Sequence, residues 1–156
     1  MSKIDLDNIP ERTGSIYPGR HAGEMKGRSS LRIGAAGGLT QFGANLIILQ
    51  PGAKSSLRHW HVNEDEFVMV TEGVVQLVTD EGETEMGAGD CAAFPANVPN
   101  GHCFINRSGS EARFLVVGTS APEETAFYAD IDMKYTRKNG QNSFTRKDGS
   151  PLPDDI

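Results

Sequence analysis

A chain of 156 residues is the size of one domain and long enough to bury a core without disulfide or metal staples. Lys and Arg number 15 against 21 Asp and Glu, a net charge of −6, which argues against a nucleic-acid binder and against docking on an anionic membrane surface. The 18 Gly and 8 Pro favour a fold of tight turns and β structure over a helical bundle.

Residues 1–30 are polar and rich in turn formers (Pro10, Pro18-Gly19, Gly23, Gly27) and read as an extended N-terminal arm with little regular structure. Over 31–120 the chain breaks into short apolar segments separated by Gly, Pro, Asn or Asp: 31–33, 45–50, 57–61, 66–72, 74–79, 83–86, 91–94, 102–106 and 112–118. That rhythm predicts an all-β sandwich or barrel, with hairpins signalled at Glu72-Gly73 and Glu81-Gly82. Residues 121–156 form a polar C-terminal extension, expected to pack on the barrel as a strand, a short helix or a surface wrap, with a turn at Asp148-Gly149-Ser150-Pro151. No apolar run reaches the roughly 18 residues a bilayer span needs. The start lacks the apolar core of a signal peptide, so the cytoplasm is the expected compartment. Cys91 and Cys103 are then expected to be free thiols.

Three of the four histidines fall in one arrangement. His59 and His61 are two apart in an extended segment, so both imidazoles project to one face and Trp60 to the other. A polar turn follows, and a hairpin can return Glu66 beside them. His102 sits in a later strand segment after Gly101. If the strands close into a barrel, these four side chains converge inside it. Three imidazoles and one carboxylate suit a single divalent transition metal (Fe, Mn, Ni, Co or Zn) and leave coordination positions open for a ligand.

The segment Gly52-x6-His59-x-His61-x4-Glu66-x6-Gly73 resembles the first sequence motif of the cupin superfamily, and Gly89-Asp90-x4-Pro95-x6-His102-x3-Asn106 resembles the second. One departure is visible: Asn97 stands where the family pattern usually has Gly, and the loop before His102 is two residues longer. The resemblance implies a jelly-roll barrel, the double-stranded β-helix of small single-domain cupins. It implies His59, His61, Glu66 and His102 as metal ligands, turn roles for Gly73, Gly89 and Asp90, and Asn106 closing the second motif. It also implies a homodimer in which the 1–30 arm takes part.

Strand alternation places Val68 and Val70 on the face of Glu66, and Phe104 and Asn106 on the face of His102. Gln76, taken with Val74 and Val78, is read as a polar group of the cavity. Gln76, Phe104 and Asn106 are therefore the candidate substrate-binding residues of a mostly apolar pocket for a small molecule. Lys54, Arg58 and Arg32 are basic groups within reach of an anionic substrate, with Arg58 alternating outward. Glu64 and Asp65 sit beside Glu66 and could compete with it as ligand, but the family spacing selects Glu66 and they read as solvated; His21 reads as a surface residue, Trp60 and Cys103 as packing residues, and Asp130-Ile131-Asp132 as the exposed face of a tail strand. Small cupins with this ligand set resemble proteins labelled sugar-phosphate isomerases, in which the metal is a Lewis acid on a small oxygenated substrate. A non-haem iron dioxygenase and a non-catalytic small-ligand-binding barrel are the other functions weighed.

Overall fold

The computed structural model describes residues 3–153. Its strands are β1 (Arg12–Thr13), β2 (Arg28–Leu31), β3 (Phe42–Leu49), β4 (His59–His61), β5 (Glu66–Glu72), β6 (Val74–Thr79), β7 (Gly82–Gly87), β8 (Cys91–Phe94), β9 (Cys103–Ile105), β10 (Ala112–Thr119), β11 (Glu124–Tyr128), β12 (Lys134–Lys138) and β13 (Gln141–Thr145). Every strand pairing is antiparallel. One sheet runs β1-β2-β3-β10-β5-β8, a second β13-β12-β11-β4, and a third β7-β6-β9. The expected all-β jelly roll is therefore present.

Alternation decides which side chains fill the barrel. In register across the large sheet lie Ser30 opposite Ile47, Ile47 opposite Phe114, and Phe114 opposite Val70. Phe114, Val70 and Leu49 are at most 1% exposed and belong to the main core with Phe104, Val68 and Val75. Burying each such side chain contributes about 1.5–3 kcal/mol. A second cluster, Met25, Leu57, Tyr128 and Met133, joins the arm, the segment before β4 and the C-terminal extension.

The N-terminal side of the chain differs from its sequence reading. Residues 31–33 are not a strand: β2 ends at Leu31 and Ile33–Ala36 is one short α-helix. The arm is not unstructured, since β1 pairs with β2 and β2 with β3 of the same chain. The C-terminal extension carries three strands: β11 pairs with β4, β12 with β11, and β13 with β12. Among the described residues no helix is long and apolar enough to cross a membrane.

Gly73 makes the β5–β6 hairpin possible. Its φ is +73°, and a Cβ there would meet the Glu111 carbonyl oxygen at 2.7 Å. The turn also resets the alternation: Val75 is fully buried and Leu77 packs on the core, so Gln76 points the other way. Asn97 takes φ +61°, the left-handed conformation that Gly adopts freely and Asn tolerates. Its N–H donates to the His61 carbonyl at 2.8 Å, tying the longer loop to β4.

Candidate metal centre

β4 carries His59 and His61 on one face, as a two-residue spacing on a strand requires. Glu66 opens β5 and His102 stands just before β9. Two backbone bonds between His59 and His102, at 3.1 and 2.9 Å, lock β4 to the His102 segment. The four side chains line one cavity of about 570 Å³. They meet as two touching pairs. His59 Nε2 lies 3.1 Å from His61 Nε2, and His102 Nε2 lies 2.7 Å from Glu66 Oε2. His59 joins the pairs, its ring centroid 4.8 Å from that of His61 and 5.2 Å from that of His102.

The donor set fits a cation. The tautomers follow from the partners of each ring. His59 Nδ1 donates to the Leu57 carbonyl at 2.8 Å, which leaves a lone pair on Nε2. His61 Nδ1 faces the carboxylates of Glu124 at 3.5 Å and Glu64 at 4.0 Å, so its proton belongs on Nδ1. The unprotonated Nε2 of His59 then faces His61 Nε2 at 3.1 Å, an arrangement that a proton on His61 or a cation between the two rings satisfies. Burial, with the charges of His61 and His102, pushes His59 down to about 3, so it is a neutral donor at ordinary pH. Burial also pulls His61 down, but Glu124, Glu66 and Glu64 outweigh it and hold His61 above the usual histidine value. Glu66 runs against its burial: the His102 hydrogen bond and the three imidazoles hold it below the usual carboxylate range.

Two further carboxylates stand behind His61: Glu124, which the sequence did not single out, and Glu64, which it set aside in favour of Glu66. Among the described residues, His61, Glu64 and Glu124 have ligand atoms all within 4.8 Å of one another. Glu124 is 2% exposed and accepts the N–H groups of Val62 and Asn63, both at 2.9 Å. It therefore fixes the turn after β4 as well as facing the imidazole. Glu64 is not a solvated surface group: its side chain is 15% exposed, lines the cavity, and accepts from Arg137 at 2.5 Å and from the Ala121 N–H at 3.0 Å. Its closeness to Glu66 hid it, since Glu64 and Glu66 share a parity and only the turn between them separates their roles.

The candidate substrate residues divide. Phe104 lines the cavity and is 2% exposed. Gln76 does not face it: the shift at Gly73 turns its amide outward, where it donates to Glu85 on β7 at 3.2 Å. Asn106 is fully buried, but its side chain is spent on the backbone. Its amide nitrogen donates to the Leu49 and Ser110 carbonyls, both at 2.8 Å, and its oxygen accepts from Ser108. It closes the second motif and leaves nothing for a ligand. His21 is also corrected: it is 5% exposed and its Nδ1 contacts Glu24 at 2.5 Å. Trp60 stacks outside on Phe127 at 4.9 Å, and Arg58 is held by Asp80 and Asp130. Asp65 is exposed, and Cys103 is a buried thiol pushed up to about 11 by that burial.

Comparison with known proteins supplies the relatives. A family model described as a cupin domain matches residues 45–118. A crystal structure from Silicibacter pomeroyi, described as a sugar phosphate isomerase from a cupin superfamily, is 62% identical, with a TM-score of 0.97 over 99% of this chain and 98% of that one. A protein of Acidithiobacillus ferrooxidans, given the provisional description of sugar phosphate isomerase, is 25% identical, with a TM-score of 0.74 over 81% of this chain and 80% of that one. The polyketide cyclase RemF of Streptomyces resistomycificus shares the fold at 19% identity, with a TM-score of 0.65 over 99% and 89% of the two chains. No curated protein matches the chain.

Proposed function

The chain belongs to the cupin superfamily, and on that premise we propose that it is a metal-dependent isomerase acting on a sugar phosphate or a similar small oxygenated substrate. The observation that carries this reading is the convergence of His59, His61, Glu66 and His102 in one cavity, with two imidazole nitrogens facing at 3.1 Å. These four residues would hold one divalent transition metal. Such an ion supplies Lewis acidity toward a carbonyl and its neighbouring hydroxyl. The 62% identical Silicibacter pomeroyi protein, described as a sugar phosphate isomerase, supports the reaction class.

The chain's own residues supply the rest. Moving a hydrogen between adjacent carbons needs a base in the cavity. Glu66 is engaged by His102, and Glu124 by two backbone N–H groups. Glu64 is the carboxylate left for proton transfer, held in place by Arg137 and the Ala121 N–H. Phe104, Phe114 and Val68 wall the cavity and exclude water from the reacting carbons.

Elemental analysis of the purified protein is expected to find close to one transition-metal ion per chain. Isomerisation of hexose and pentose phosphates is then assayed with added Mn, Fe, Co, Ni or Zn. Turnover with at least one metal, lost in Glu64→Gln with metal content retained, supports the proposal. Absence of turnover with every metal overturns it, and oxygen uptake under Fe(II) would replace it with a dioxygenase.

A further inference from the structure

The wall of the cavity contributed by the arm and the end of β2 carries three arginines. In β2, Arg28 lies opposite Leu49 and Ser30 opposite Ile47. Leu49 and Ile47 point into the core, so Arg28 and Ser30 turn toward the cavity with them. Arg12 of β1 lies opposite Ser30. Arg12, Arg28 and Arg32 all line the cavity that holds the four histidine and glutamate ligands. The cavity's other arginine, Arg137, is taken by Glu64. Among the described residues, no carboxylate pairs with Arg12, Arg28 or Arg32.

Arg28 is the informative member. Its Nε is buried and has no hydrogen-bond partner. A buried donor left unpaired costs about 1–3 kcal/mol, more when charged. Burial and the nearby Arg32 both oppose its positive charge, so its pKa lies below the usual arginine value. An oxyanion in the cavity would satisfy the donor and neutralise the repulsion together. The chain as a whole carries −6, so this lining runs against its net charge and is not a by-product of a basic surface.

We propose that Arg28 and Arg32, with Arg12 beside them, form an oxyanion subsite that binds the phosphate of the substrate and directs its other end toward the histidine cluster. A guanidinium fork matches phosphate oxygens two at a time, which a point charge cannot do. The subsite lies on β2, three strands across the sheet from the Glu66-bearing β5, so one substrate spans the cavity with its phosphate at one wall and its reacting carbons at the other. This assignment rests on the isomerase reading for the identity of the reacting end and on the arginines alone for the phosphate.

The test measures binding, not turnover. Glucose 6-phosphate, glucose, gluconate and inorganic phosphate are titrated into the protein as purified and after chelator treatment. Glucose 6-phosphate and inorganic phosphate are expected to bind in both forms, with glucose at least about tenfold weaker, and the affinity is expected to fall with salt. Arg28→Gln is expected to weaken glucose 6-phosphate about tenfold or more and Arg32→Gln several-fold, with Arg28→Lys intermediate and metal content unchanged in all three. Should Arg28→Gln fail to fold, the exposed Arg32 carries the test. Equal binding of glucose and glucose 6-phosphate overturns the proposal, as does unchanged phosphate binding in the variants that fold. A preference for gluconate reassigns the subsite to carboxylates and overturns it too. Phosphate binding that persists where no metal gives turnover removes the isomerase reading and leaves the subsite standing.

Discussion

Phe94 lies flat on the imidazole of His102, with ring centroids 3.6 Å apart and planes 7° from parallel. The stack holds a ring whose Nδ1 has no hydrogen-bond partner of its own. Orientation of His102 therefore comes from Phe94 on its face and Glu66 at its Nε2. Phe94→Leu keeps apolar bulk and removes the stack, a contact worth about 0.5–1.5 kcal/mol beyond burial. Metal affinity is expected to drop about tenfold in a chelator competition, with Phe94→Tyr close to the parent. An unchanged affinity in Phe94→Leu would show that Glu66 alone orients the ring.

Glu124 does two jobs from a buried position. Replacing it with Gln leaves one acceptor oxygen for two backbone donors. The expected cost is about 1–3 kcal/mol, read by denaturant unfolding. Because the same carboxylate faces His61 Nδ1 at 3.5 Å, metal affinity is expected to weaken about 10–100-fold. A variant that loses stability but binds metal as before would confine Glu124 to the turn.

Gly101 sits where His102 is set against the C-terminal strands. A Cβ at this position would meet the Ala129 Cβ at 2.6 Å and the Arg58 Cγ at 3.4 Å. Gly101→Ala is expected to push the two segments apart at a cost of about 1–3 kcal/mol. Thermal unfolding measures that cost, and reduced metal content is expected with it. A melting temperature equal to the parent's would mean that the segments yield freely.

Glu24 links the arm to the loop before β4 through Lys54 and contacts His21 within the arm. The Lys54 bond, then the His21 bond, holds the Glu24 carboxyl below the usual carboxylate range. Its folded pKa is below the unfolded value of about 4.3. The stabilisation is thus complete above that unfolded value and is lost as pH falls through the lowered folded one. The side chain is 36% exposed, so screening limits the effect to about 1 kcal/mol or less. Glu24→Gln is expected to lower the melting temperature at pH 7 and to converge with the parent in acid. A constant offset at all pH values would refute the linkage.

The centre of the barrel was legible because β5 alternates cleanly and because β5, β6 and β8 are short β-prone runs bounded by turn residues. The four convergent side chains were legible because histidine is scarce and His59 and His61 share a face. Gln76 was misplaced for a local reason: the left-handed Gly73 resets which residues of β6 face inward, and no pattern within β6 reports that. The flanks were opaque for another. β12 reads Lys-Tyr-Thr-Arg-Lys and finds its place through pairing with β11 and β13, not through an apolar stripe. Arg28 is followed by two serines that are buried in the fold, so its charged head gave no sign of facing a cavity. His21 is buried by contacts between distant segments, which alternation along the chain does not record.

The strands of the arm have one more consequence. The family-matched stretch, 45–118, contains all four histidine and glutamate ligands but neither β2 nor β11. A polypeptide cut to that stretch would be a bowl broken on two sides, open to bulk solvent where the arginines stood and unbraced beneath its histidine strand. The proposed phosphate wall of this barrel thus lies outside the family-matched stretch, and engineering a new specificity would begin there.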